Sequence, residues 1–113
     1  ENSIVYTGTH DNNTTVGWFT HDIDEVLRET LANLMGTTSD RPKTICKRLI
    51  KAAYASRARM AIIPMQDFLG LDERARMNTP GTVGINWRWS LKKDYLLELD
   101  SKKLKALCVR YRR

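Results

Sequence analysis

Two stretches of this chain gather side chains able to do chemistry. The first is Gly8-Thr9-His10-Asp11-Asn12-Asn13-Thr14, which directly follows the apolar run Ile4-Val5-Tyr6. A His-Asp pair placed just after a buried parallel strand sits where α/β enzymes carry their reactive groups. There the Asp11 carboxylate can stabilise developing positive charge, and the His10 imidazole can hydrogen-bond a substrate hydroxyl. The same residue types also serve a plainer purpose, since Asp11, Asn12 or Asn13 can cap a following helical turn. The second stretch is Arg74-Ala75-Arg76-Met77-Asn78-Thr79-Pro80-Gly81-Thr82 with Asn86-Trp87-Arg88-Trp89. Indole faces stack on sugar rings or nucleobases, while Asn and Arg supply hydrogen bonds. The alternative is that Trp87 and Trp89, two residues apart, share one face of an extended segment and fill a core.

The elements that must hold these stretches follow from periodicity. Ile4-Val5-Tyr6 and Met60-Ala61-Ile62-Ile63 are short continuous apolar runs, as expected of strands buried on both faces of a parallel sheet. Thr14 to Thr20 reads as a short helical turn with Trp18 and Phe19. Asp22, with Glu25 three positions on, reads as a capping box for a helix whose stripe is Ile23, Val26, Leu27, Leu31, Leu34 and Met35; Gly36 ends it. Ser39 or Asp40 should cap the next helix, with Pro42 in its first turn and Ile45, Leu49, Ala52, Ala53 and Tyr54 on its apolar stripe. Met65 to Leu69 forms one turn closed by Gly70. Residues 70–90 are punctuated against regular structure, and so long a loop in a small domain usually has a task. Asp100 or Ser101 caps a last helix bearing Leu104, Leu107, Cys108 and Tyr111. The resulting order, βα(α)βα, is that of an α/β protein with parallel strands.

Composition narrows the classes. The chain has 113 residues, 42% hydrophobic and 28% charged, an ordinary globular balance. It has no run of the ~18–20 apolar residues that cross a bilayer, so no membrane partner is expected. The net charge of +6 raises the question of nucleic acid. The basic residues between Arg41 and Arg59 and between Lys92 and Arg113, however, fall mostly off the apolar stripes, as on any solvated helix face. No helix-turn-helix, zinc-finger or RNP pattern accompanies them. The two cysteines, Cys46 and Cys108, lie on apolar stripes and read as buried small hydrophobes in a reducing compartment. With only His10 and His21 to add, no metal-ligand spacing is present, and neither metal nor cofactor is expected.

The residues also carry a resemblance. Tyr6-Thr7-Gly8-Thr9-His10-Asp11-Asn12-Asn13-Thr14-Thr15-Val16-Gly17-Trp18 resembles the YTGTHDNDT(T)xGW segment of the 4-α-glucanotransferases, also called amylomaltases or disproportionating enzymes. Gln66-Asp67-Phe68-Leu69-Gly70-Leu71 is similar to their QDLLGL segment. Arg76-Met77-Asn78-Thr79-Pro80-Gly81-Thr82 and Asn86-Trp87-Arg88-Trp89 are similar to their RMNxPGT and NWRWR segments. The order is that of the family. Asn13 stands where the family usually has Asp, and Ser90 where Arg is frequent.

The resemblance implies an α/β fold, specifically the C-terminal part of a (β/α)₈ TIM barrel, with residues 1–113 an incomplete domain. It implies transfer of α-1,4-glucan segments between maltodextrin chains with retention, chemistry that uses two close carboxylates. In the family these lie on earlier strands, hence upstream of Glu1. Asp11 matches the family's third, transition-state-stabilising carboxylate and His10 its sugar-binding neighbour; Arg76, Asn78 and Trp87 are expected to contact the glucan. The absence of an initiating Met and the presence of only two strands agree with a piece of a longer protein. Such a piece is expected to be inactive alone, to self-associate through its bare strands, and to come from the cytoplasm, or a plastid in a plant. The alternative function is a stand-alone α-glucan-binding module without catalysis.

Overall fold

The computed structural model describes residues 2–113. Its only sheet among these residues has two strands, β1 (Ile4–Tyr6) and β2 (Met60–Ile62). They run parallel, with Ile4 opposite Met60, Val5 opposite Ala61 and Tyr6 opposite Ile62. Parallel neighbours need a crossover. Here it is supplied by α1 (Thr15–Gly17), a π-helical stretch at Trp18–Asp22, α2 (Glu25–Leu34) and α3 (Pro42–Ala55). After β2 come α4 (Met65–Leu69), a 3₁₀ turn at Glu73–Ala75, α5 (Lys93–Glu98) and α6 (Ser101–Tyr111). The helix-rich build with two parallel strands agrees with the α/β expectation.

Several local expectations shift by a residue or two. Asp24, rather than Asp22, is the N-cap of α2, its carboxylate accepting from Leu27 N at 2.8 Å. The reason is that the π-helical stretch continues through Asp22, and the backbone becomes extended only at Ile23. Asp22 instead accepts from Asn13 Nδ2 at 3.0 Å. Neither Ser39 nor Asp40 caps α3. Pro42 occupies its first position and drives the preceding Arg41 into extended backbone, so Arg41 is the N-cap and its side chain makes no capping bond. Asp100 caps α6 as expected, through Lys103 N at 3.0 Å. The short helix α5 lies in a stretch for which the sequence pattern gives no element.

The core forms where α3 meets the earlier helices of the crossover. Ile45, Phe19 and Ala32 make one cluster, with Trp18, Ile23, Leu31 and Leu49 around them. Val16, Cys46 and Ile50 make the other, closed by Tyr54, Ile63 and Phe68. On the opposite side of α3, Lys47, Arg48 and Lys51 are exposed, the solvated face that the stripe predicts. Cys46 is fully buried, but Cys108 is only half-buried and lies 4.0 Å from the Tyr54 hydroxyl. The helix α6 packs against α3, and none of its residues is fully buried. Arg113 fastens it by donating to the carbonyls of Tyr54, in the last turn of α3, and of Ser56 and Ala58 just beyond it.

The strands are not buried on both faces. Ile4, Tyr6, Met60 and Ile62 are exposed, whereas Val5 and Ala61, on the alternate positions, are half-buried. Side chains of a strand alternate between faces. One whole face of this sheet is therefore an open apolar surface.

Candidate functional site

The site lies at the C-terminal ends of the two strands. Beyond β1, Thr9 and Asn12 close a tight turn: Asn12 N donates to Thr9 O at 3.2 Å, and Asn12 Oδ1 accepts from Thr9 N and Thr9 Oγ1 at 2.7 and 2.9 Å. A side-chain amide that mimics a backbone turn is a common use of Asn. His10 and Asp11 occupy the tip of this turn and are both half-exposed. Asn12 thus shapes the loop, and Thr14 is the residue that caps α1, accepting from Gly17 N at 3.1 Å. Asp11 is free of capping duty.

The second loop, beyond α4, reaches over the first. Asn78 Nδ2 donates to Asp11 Oδ1 at 2.7 Å, and Asn78 N donates to His10 O at 3.1 Å. Arg76 spans both loops, with Nη2 on Asp11 O at 2.7 Å and Nε on Asn78 O at 2.8 Å. His10 Nε2 stands 3.3 Å from Asp11 Oδ1. Both contacts fall on Oδ1 of Asp11, and Oδ2 accepts no hydrogen bond among the described residues. One oxygen is held in place while the other remains available to a ligand.

Trp87 completes the group. Its ring lies 5.2 Å from that of His10, tilted by 37°, and the residue is 59% exposed. Its φ is +62°, a left-handed conformation that costs a bulky side chain roughly 1–3 kcal/mol. The surrounding loop enforces it. Trp87 N donates to Met77 O at 2.7 Å, Asn86 Oδ1 accepts from Thr79 N at 2.9 Å, and Asn86 Nδ2 donates to Thr82 O at 3.0 Å. This turn separates the two indoles. Trp89 stacks instead on Tyr95, ring to ring at 6.5 Å and 18°. The reading of Trp87 and Trp89 as one extended core-facing pair is therefore overturned by the positive φ of Trp87 itself.

All five residues singled out from the sequence, His10, Asp11, Arg76, Asn78 and Trp87, meet at this one place. Arg76 differs from the others in kind, because two of its guanidinium nitrogens are taken by backbone carbonyls; it braces the loops together. A cleft of about 750 Å³ opens beside the group, lined by Asp11, Asn13, Trp18 and Arg76 and by Val5 and Ala53. Sequence reasoning passed over Asp67. Its carboxylate accepts from Thr7 Oγ1 at 2.6 Å, Thr15 N at 2.9 Å and Thr15 Oγ1 at 2.8 Å. The available signal was the polar pair Gln66-Asp67 inside the short turn Met65–Leu69. No cluster among the described residues is suited to hold a metal ion.

The fold and the site together define a segment of a parallel α/β protein with a carboxylate presented at its strand ends. Comparison gives the particular family. The family profile described as 4-alpha-glucanotransferase matches residues 1–96, so the chain belongs to the 4-alpha-glucanotransferase family, glycoside hydrolase family 77. A 4-alpha-glucanotransferase of Streptococcus pneumoniae is 43% identical over 112 residues, 99% of this chain and 22% of the relative. A chloroplastic/amyloplastic 4-alpha-glucanotransferase of Solanum tuberosum is 40% identical over 117 residues, covering 100% of this chain and 20% of the relative. A solved amylomaltase from Streptococcus agalactiae, in complex with acarbose, superposes with a TM-score of 0.86 at 34% identity, covering 97% of this chain and 22% of that one. The chain thus spans about one fifth of the length of the relatives it matches.

Proposed function

We propose that these residues are the C-terminal part of the catalytic barrel of a 4-alpha-glucanotransferase that moves α-1,4-glucan segments between maltodextrin chains with retention. The observation that carries this reading is the convergence of His10, Asp11 and Asn78 from loops that follow two adjacent parallel strands. In barrels of this class the reacting groups stand on such loops. Asp11 is the transition-state-stabilising carboxylate. Its role is electrostatic: an oxocarbenium-like transition state gathers positive charge, and a carboxylate already fixed by Asn78 needs no reorganisation to meet it. His10 binds a hydroxyl of the same sugar, and Trp87 offers an exposed indole face to a neighbouring ring. The nucleophile and the acid/base come from earlier strands of the barrel, outside these 113 residues, and those strands cover the open sheet face of Ile4, Tyr6, Met60 and Ile62.

The test uses maltotriose, with glucose and longer maltodextrins as products. The chain alone is expected to give none, because it holds one of three carboxylates. The full-length enzyme that carries this segment is expected to turn over, and Asp11→Asn in it to lose ~10²–10³-fold in kcat, the scale set by removal of a main electrostatic stabiliser. Turnover by the chain alone, or unimpaired turnover by Asp11→Asn, removes this reading. The exposure of Trp87 supports a second one, a glucan-binding module without catalysis. Saturable quenching of Trp fluorescence by maltoheptaose with the isolated chain would favour it.

A further inference from the structure

We infer that Asp67 is a positioning residue for the reaction: it fixes where the loop bearing His10 and Asp11 sits on the sheet. The inference rests on the role of Asp11 proposed above. Asp67 is 3% exposed, and its carboxylate holds the two residues that bracket the loop, Thr7 where the chain leaves β1 and Thr15 where α1 begins. The turn from Thr9 to Asn12 sets the loop's internal shape, but none of its bonds ties the loop to the sheet. Asp67 makes that tie from both ends.

The neighbouring residue holds the other loop. Gln66 Nε2 donates to Ala75 O at 3.2 Å, at the end of the 3₁₀ turn that leads directly into Arg76 and Asn78. The short helix α4 is itself fixed, between Pro64 and the left-handed Gly70, with Asp67 O accepting from the buried Cys46 thiol at 3.4 Å. Gln66 and Asp67 therefore anchor the two loops to one rigid turn. Their relative placement decides whether Asn78 Nδ2 reaches Asp11 Oδ1 at 2.7 Å. Neither residue touches the sugar in this account. Their effect passes through the position of the Asp11 carboxylate, and a displacement of ~1 Å at such a group costs on the order of 100-fold in rate.

The experiment is a double-mutant comparison in the full-length enzyme that carries this segment, with maltotriose as substrate. Asp67→Ala is expected to lower kcat by ~10–100-fold while KM stays within ~3-fold. In the Asp11→Asn background the same substitution is expected to cost no more than ~3-fold, because a residue that acts through Asp11 has nothing left to position. The paired substitution Thr7→Val with Thr15→Val removes both hydroxyl donors at nearly constant shape and is expected to follow the same pattern. It decides the matter alone if Asp67→Ala lacks a native near-UV circular dichroism spectrum. Full kcat in a folded variant, or an equal fold loss with and without the Asp11 carboxylate, overturns the positioning role; the latter is what a plain loss of folded enzyme gives. Unimpaired turnover by Asp11→Asn overturns instead the role assigned to Asp11, and the positioning role falls with it.

Discussion

Gly17 is the glycine with the least room for a side chain, and Gly17→Ala is expected to disturb fold and site together. Its φ of −63° is ordinary helix, so the demand for glycine is steric. A Cβ there would lie 2.5 Å from Asn13 Oδ1 and 2.9 Å from Glu73 Cβ. Relief to the 3.4 Å of ordinary contact requires movements of about 0.9 and 0.5 Å (3.4 − 2.5 and 3.4 − 2.9). Neither neighbour yields readily. Asn13 is tied to Asp22, and Glu73 opens the 3₁₀ turn whose Ala75 is buried and holds Gln66. Overpacking of this kind costs about 1–3 kcal/mol. For a chain of this size that is roughly 3–6 °C in Tm per kcal/mol. The turn runs straight into Arg76, the brace between the two loops, so kcat in the full-length enzyme should fall as well, by ~10-fold or more. Thermal unfolding followed by circular dichroism, with kcat for maltotriose in parallel, checks both. Replacing Asn13 by Ala in the same chain should recover part of the loss, since it removes the closer contact and leaves the Glu73 one. A Gly17→Ala protein that melts within ~1 °C of the parent would refute the steric reasoning.

Other outcomes follow from single contacts. Asn78→Ala removes the 2.7 Å bond to Asp11 Oδ1, a bond to a charged group worth ~1.5–3 kcal/mol, and should lower kcat in the full-length enzyme ~10–100-fold with little change in KM. A rise in KM alone would make Asn78 a sugar contact instead. The isolated chain should self-associate through Ile4, Tyr6, Met60 and Ile62, and Tyr6→Lys with Ile62→Lys should shift it to monomer by light scattering; a parent chain that is monomeric at ~100 μM would contradict this. Burial, and secondarily the negative charge of Asp67, pushes the Cys46 thiol from its ordinary 9.0 up to about 12. The raised value means that the unfolded chain gives up this proton first. Its contribution is complete below pH 9.0 and is lost as the pH rises toward 12, at up to ~1.4 kcal/mol per unit. Urea unfolding at pH 8 and 10 should show that slope, and Cys46→Ala should flatten it.

The elements were legible where side-chain pattern and backbone punctuation agree. The stripe of α3, the stop at Gly36, the turn closed by Gly70 and the cap at Asp100 all rest on local chemistry. The α2 cap was misplaced by two residues because a π-helical stretch has no periodic signature in so short a segment. Ser39 and Asp40 were plausible caps by type, but Pro42 fixes its neighbour's backbone and settles the helix start without them. Of the site, the five residues were found from their types and from family segments, and the structure brings them together. What their sequence order left open was which of them faces a ligand and which holds another in place.

The sequence by itself determined the parallel α/β order, the apolar strands, the His-Asp turn and the family, because each is written in residue types close together along the chain. Only the tertiary structure decided that Arg76 is a brace, that Trp87 and Trp89 part company, and that Asp67 ties down both ends of the loop at Thr7 and Thr15. The bonds of Asp67 to Thr7 and Thr15 and of Arg76 to Asp11 join residues 52 to 65 positions apart. A hydrogen bond depends on tenths of an ångström and on direction. No pattern along the chain specifies either until β1 and β2 lie side by side and bring the two loops within reach.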